Sequence, residues 1–178
     1  MSIAIISYSL TGNNETLADE VAKALSAEHL KITEKKPRKT ATIMLDMILS
    51  RTPRVQPLPS SLAQYEKILF VGPVWMGKSA TPFRAYFKYL KAHPHLYAFA
   101  SISGGALNTN PKLADDLKKR VGTKPVALVD LHISDLLPPD PKPTMKETSS
   151  YHLNDGDISK LTDIIVNSVI NAMGLKKV

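Results

Sequence analysis

Four apolar runs along this chain, residues 2–8, 67–72, 96–102 and 126–133, are continuous rather than alternating, and amphipathic segments separate them. A continuous apolar run suits a strand buried on both faces, as in a parallel sheet with helices above and below. The intervening segments carry the helical signal: Leu17, Val21 and Leu25 recur every four residues within 14–27, and further helices are expected near 82–91 and 111–120. Strands alternating with helices leave few topologies, because parallel strands are joined by right-handed crossovers. The expected architecture is a three-layer, doubly wound α/β fold. Its five-stranded parallel sheet has order 2-1-3-4-5, with the short run 29–33 as the weak second strand. A ligand in such a sheet sits beyond the C-terminal strand ends, at the switch point between strands 1 and 3. The loops that reach that point follow residues 8, 72 and 102.

With 178 residues and 43% hydrophobic content, one domain spanning 1–178 is expected. The absence of cysteine excludes disulfides, thiolate nucleophiles and cysteine-ligated metal centres. Redox chemistry, if present, must then come from a bound cofactor. No apolar run approaches the ~20 residues that span a bilayer. The N-terminus, which starts almost at once on Ile3 and has no basic region before it, reads as a core strand rather than a signal peptide. The expected location is the cytoplasm.

Much of the net charge of +7 lies in residues 31–54, where Lys31, Lys35, Lys36, Arg38, Lys39, Arg51 and Arg54 face only Glu34 and Asp46. That stretch suits a solvated face, or contact with an acidic partner, an anionic membrane surface or a cofactor phosphate. No aromatic residues are interleaved with the charges, so nucleic acid is not an expected partner. Residues 41–50 carry Ile43, Met44, Leu45, Met47, Ile48 and Leu49, which suit a core helix, a flap over a ligand or a homodimer contact. The prolines of 51–60 predict an extended connection, and those of 135–156 a long excursion of the kind that borders sites. A last helix is expected from a cap near Asp157 to a stop at Gly174.

The first strand runs directly into Ser9-Leu10-Thr11-Gly12-Asn13-Asn14 and then a helix. Ser9 and Thr11 can direct hydroxyls at an anion, Gly12 lets the backbone tighten, and the helix start adds free N–H groups and its positive dipole end. A plain helix cap would use the same residue types. Ser9-x-Thr11-Gly12-x-Asn14 resembles the phosphate loop of the flavodoxin family, Ser/Thr-x-Thr-Gly-x-Thr, with Asn14 standing at the last Thr. The resemblance extends to Gly72-Pro73-Val74-Trp75-Met76-Gly77, similar to the family's second loop, and to Ser103-Gly104-Gly105, similar to its third. It covers residues 2 to about 134, plus the last helix.

The resemblance implies a flavodoxin-like domain holding flavin mononucleotide (FMN). Its phosphate would lie on Ser9, Leu10, Thr11, Gly12, Asn13 and Asn14, and its ring between Pro73, Val74, Trp75, Met76 and Gly77 and the loop Ser103, Gly104 and Gly105. Because an amide can also donate, Asn14→Thr is expected to preserve or tighten binding, and Thr11→Ala to loosen it. Chemistry would belong to the flavin, and no catalytic residue of the protein is expected. Three uses stay open: an electron carrier for a redox partner protein, an oxidoreductase of quinone-reductase type using a nicotinamide cofactor, and a cofactor-less binding module.

A competing pattern exists. Gly72-Pro-Val-Trp-Met-Gly77-Lys78-Ser79 satisfies the written P-loop pattern, after a strand. Yet Pro73 offers no N–H, Val74 and Trp75 would crowd a phosphate nest, and Ala80-Thr81-Pro82 reads as a fresh helix start beyond the motif. Nucleotide hydrolysis is therefore not expected. The five histidines lack metal-pair spacing, so no metal site is expected, and no Gly-x-Ser-x-Gly elbow marks a serine nucleophile.

Overall fold

The structure, a computed structural model, describes residues 2–34, 46, 49, 51–105 and 110–175. From the N-terminus come β1 (Ile3–Ser7), α1 (Asn13–Leu25), β2 (Glu28–Lys31), β3 (Thr33–Glu34) and β4 (Val55–Gln56). Then follow β5 (Lys67–Val71), β6 (Val74–Trp75), β7 (Lys78–Ser79), α2 (Phe83–Ala92), β8 (Leu96–Ser103), α3 (Leu113–Val121) and β9 (Leu128–His132). Helices α4 (Met145–Ser150) and α5 (Asp155–Met173) close the chain. The main sheet is parallel throughout, with order β2-β1-β5-β8-β9, which is the expected 2-1-3-4-5.

Alternation along each strand sorts the core onto two faces. Ile3, Ile5, Leu69, Val71, Ala98, Ala100 and Ile102 face α1 and α5 and meet Leu17, Val21, Ile165 and Val169. Ala4, Ile6, Ile68, Phe70, Tyr97 and Phe99 face the other way, toward Phe83, Phe87, Leu113 and Leu117 of α2 and α3. That second layer is aromatic: the Phe70 ring meets Phe83 edge-on at 5.6 Å and Phe87 at 5.1 Å. Fully burying each such ring is worth about 1.5–3 kcal/mol.

Several expectations are refined. The excursion at 135–156 is not without regular structure, because Thr144 opens α4 with a capping box: its Oγ1 accepts from Glu147 N, while Glu147 Oε2 accepts from Thr144 N at 2.7 Å. Six helical residues are too few to print a period in a sequence. Asn154, not Asp157, caps α5; Asp157 is the third residue of the reciprocal box, and Gly174 ends the helix in a left-handed conformation as expected. Helix α2 starts at Phe83 with Pro82 as the preceding residue, one position later than Thr81 suggested. The proline-rich stretch forms β4, which pairs antiparallel with β3, and then a 3-10 turn over Pro59–Gln64. The expected helix at 41–50 lies outside the described residues, apart from Asp46 and Leu49. Among the described residues, no helix is long and apolar enough to cross a membrane.

Candidate functional site

The switch point is real: β1 lies between β2 and β5, and the chain leaves its C-terminal end as the loop 8–12. Tyr8 N donates to Val71 O at 3.1 Å and Ile32 N to Ser7 O at 2.7 Å, which fixes the strand ends under the loop. Ser9 Oγ accepts from Gly12 N at 3.0 Å. Gly12 adopts φ 94°, with open space where a Cβ would stand. The first bond of α1 runs from Thr16 N to Gly12 O at 2.9 Å, so the N–H groups of residues 13–15 precede the helical ladder. Leu10, Thr11 and Gly12 are exposed around them. This is an open, positively polarised cradle at a helix N-terminus.

Asn13 and Asn14 are not part of its open surface. Asn14 is 3% exposed, and its side-chain amide forms a closed pair with the backbone of Ile102: Nδ2 donates to Ile102 O at 2.9 Å and Oδ1 accepts from Ile102 N at 3.0 Å. Asn13, 5% exposed, does the same with a different segment, donating to Tyr151 O at 2.8 Å and accepting from Leu153 N at 3.2 Å. The expectation that Asn14→Thr preserves or tightens flavin binding thus meets a geometric objection, because a hydroxyl cannot span both atoms of Ile102.

The second loop is a β-hairpin. β6 and β7 pair antiparallel, Val74 with Ser79 and Trp75 with Lys78, across a two-residue turn in which Met76 (φ 50°) and Gly77 (φ 73°) are both left-handed. The written P-loop residues are therefore spent on strand pairing. Lys78 and Ser79 form a strand, Ser79 Oγ donates to Asp116 at 3.3 Å, and the next helix begins only at Phe83. Trp75 is half-buried, with its ring edge-on to Tyr8 at 6.0 Å, so the hairpin leans on the residue that starts the first loop.

The third loop leaves β8 at Ser103. Gly105 is left-handed, and an added Cβ would stand 2.5 Å from His132 Cβ and from Ser134 Oγ. Its glycine lets the chain press against the end of β9. The far end of the loop is held by Asp130, whose carboxylate accepts from Asn110 Nδ2 at 3.1 Å and from Ser101 Oγ at 2.8 Å. Between this loop, the hairpin and α3 lies a groove of about 1070 Å³. Val74, Met76 and Met145 give it apolar walls, and Lys78, Lys112, Lys119 and Arg120, with Asp115 and Asp116, a charged rim.

The 135–156 excursion borders this region. Thr148, 2% exposed on α4, lies under Gly104, where an added Cβ would come within 3.0 Å of its Oγ1. Tyr151 and Leu153 are the residues that Asn13 holds. Tyr151 OH then donates to Asp157 Oδ2 at 2.6 Å, which anchors the segment on the start of α5.

Sequence reasoning missed a polar relay beneath the cradle. Ser7 Oγ lies 2.7 Å from His29 Nε2, and His29 Nδ1 lies 2.7 Å from Asp19 Oδ1. Burial works to raise the Asp19 carboxyl, but hydrogen bonds from His29 and Lys31 outweigh it and hold the group below its ordinary value. The contacts follow the order of a hydrolase triad. With Ser7 1% exposed, however, its hydroxyl is closed to substrate, and the relay ties β2 to α1 and β1. Residues 7, 19 and 29 have no spacing that could have announced it. Among the described residues no group of His, Asp and Glu is arranged to hold a metal.

The topology, the three loops at one sheet end and the cradle at the switch point define a flavodoxin-like fold. Solved structures of that fold match the chain. A flavoprotein from Lactobacillus acidophilus, determined in complex with FMN, superposes with TM-score 0.59 and 22% identity over 72% of this chain and 92% of its own. A putative flavoprotein from Bacteroides eggerthii gives TM-score 0.63 and 15% identity over 92% and 97%. The Trp repressor binding protein from Bacillus subtilis gives 0.51 and 16% over 99% and 100%. No family model matches the sequence, and no curated protein does.

Proposed function

We propose that this chain is an FMN-binding redox protein. The observation that carries the reading is the open cradle at residues 9–12, set at the switch point with the Trp75 hairpin beside it. Of the structural neighbours named above, the one from Lactobacillus acidophilus is a flavoprotein determined with FMN, which supports the same reading. The residues fit the group. The Thr11 hydroxyl, the Ser9 hydroxyl proton and the N–H groups at the start of α1 would hold the phosphate. Asn13 and Asn14 would contribute main-chain N–H groups there, their side chains being engaged elsewhere. The hairpin 73–77 and the loop 103–105 would flank the ring, with Trp75 as its flat apolar neighbour. Bound flavin supplies one- or two-electron transfer. The protein orients it, limits water at the ring, and offers exposed Met76 and Met145 and the lysines beside it to whatever docks there.

The test is a visible absorption spectrum of purified protein after adding FMN and passing the mixture through gel filtration. Flavin bands that travel with the protein support the reading. Their absence would overturn it and leave a binding module without cofactor.

A second reading, a nicotinamide-dependent oxidoreductase, is favoured by the extension of the groove past the ring loops to Lys112, Lys119 and Met145, a lining the ring itself would not use. Oxidation of a reduced nicotinamide by the FMN-loaded protein alone would select it over a carrier.

A further inference from the structure

We infer that Asn13 and Asn14 act as a two-residue register lock, joining the cradle, the third loop and the 148–154 segment into one unit without themselves presenting side chains to the ligand. The two amides sit side by side at the first two positions of α1. Asn14 takes both backbone atoms of Ile102, the residue before Ser103 and the glycine pair, at 2.9 and 3.0 Å. Asn13 takes Tyr151 O and Leu153 N at 2.8 and 3.2 Å. Those partners lie 88 and 138–140 residues away in sequence. The Asn14 pairing satisfies a buried donor and acceptor on both sides, and the Asn13 pairing does so for partly buried groups of Tyr151 and Leu153, so losing either leaves two main-chain groups unmatched.

The segment that Asn13 grips is itself placed. Its upstream end packs Thr148 under Gly104, and its downstream end is fixed by the Tyr151–Asp157 bond and the Asn154 cap. Asn13 is thus the bond that joins this strap to the cradle, and Asn14 is the bond that joins the cradle to the third loop. A side chain of any other length would miss one of its two partners. The role assigned here is positioning: the distances are spent on the backbone of neighbouring loops, and the cradle is left to hydroxyls and N–H groups.

This inference rests on the FMN reading for its ligand arm and on geometry alone for its structural arm. In the ligand arm, FMN and riboflavin, which lacks the phosphate, are titrated against wild type, Asn14→Thr and Asn14→Ser. Both substitutions keep a hydroxyl that can donate to a phosphate, and both break the pairing with Ile102. A positioning role predicts that each loosens FMN and riboflavin by a similar factor, about tenfold. Unchanged FMN affinity, or a loss confined to FMN, would overturn it. In the structural arm, hydrogen exchange is followed in the ligand-free protein. Asn13→Ala should speed exchange across residues 148–154 by about fivefold or more and leave β5 and β8 protected. An unchanged rate there would overturn the lock. If wild type binds neither flavin, the proposed function fails, and the exchange measurement still decides whether Asn13 holds the strap.

Discussion

Lys67, buried at the first position of β5, donates its Nζ to the carbonyl oxygen of Met173, at the last position of α5. The same ammonium lies 3.4 Å from Gly174 O. A helix ends with carbonyls that lack internal partners and with the negative pole of its dipole, so a buried cation placed there meets both needs. Lys67→Met should keep the apolar stem and lose the charge-assisted bonds. A loss of about 1.5–3 kcal/mol in urea unfolding is expected, with FMN affinity of the folded protein unchanged.

Thr11 sits exposed at the tip of the cradle with no part in the lock. Thr11→Ala should loosen FMN by about tenfold, the worth of one hydrogen bond to a charged group. Riboflavin affinity and thermal stability should stay close to wild type. Fluorescence titration with the two flavins checks the contrast, and equal losses for both would show that Thr11 does not meet the phosphate.

Two glycines with positive φ should respond differently to alanine. At Gly12 (φ 94°) nothing beyond its chain neighbours lies within 4 Å of an added Cβ, so only backbone strain remains, about 1–3 kcal/mol. At Gly105 (φ 72°) the same Cβ would stand 2.5 Å from His132 Cβ, so a steric term adds to the strain. Gly105→Ala should therefore lower the melting temperature more than Gly12→Ala, by differential scanning calorimetry.

The depressed Asp19 carboxyl gives the fold an acid-sensitive contribution. Because its folded value lies below the ordinary 3.8, the stabilisation is fully present above 3.8 and is lost as pH falls through the folded value. Its side chain is 40% exposed, which screens the effect to roughly 0.5–1 kcal/mol. Unfolding free energies of wild type and Asp19→Asn from urea titration should differ by that amount at neutral pH and converge in acid.

Strand order was legible because burial on both faces forces unbroken apolar runs such as Ile68–Val71, and a parallel sheet admits few crossovers. The P-loop pattern at 72–79 could be set aside in advance on steric grounds: Pro73 has no N–H, Val74 and Trp75 would crowd a nest, and the helix start lay beyond the motif; that the segment is a hairpin was not legible. Other features lay beyond a linear reading. Asn14 looked like a substituted phosphate ligand, since a side-chain amide is both donor and acceptor and the sequence does not say which backbone it will meet. Its partner Ile102 is apolar and contributes only main-chain atoms. Ser7, His29 and Asp19 come together through the pairing of β1 with β2 and the packing of α1, neither of which leaves a spacing rule. Helix α4 hid among prolines, its only local sign the Thr144–Glu147 box.

The strap held by Asn13 belongs to the last quarter of the chain, whereas the cradle belongs to its first dozen residues. On a ribosome Asn13 emerges 138 residues before Tyr151, its partner in the strap. A fragment ending before Met145 carries every strand of the sheet and the whole cradle, yet lacks both the strap that Asn13 grips and α5, whose Ile165 and Val169 cover one face of the sheet. Truncation from the C-terminus should thus strip one face of the sheet and unfasten the cradle together, so that the last quarter of the chain serves fold and site at once.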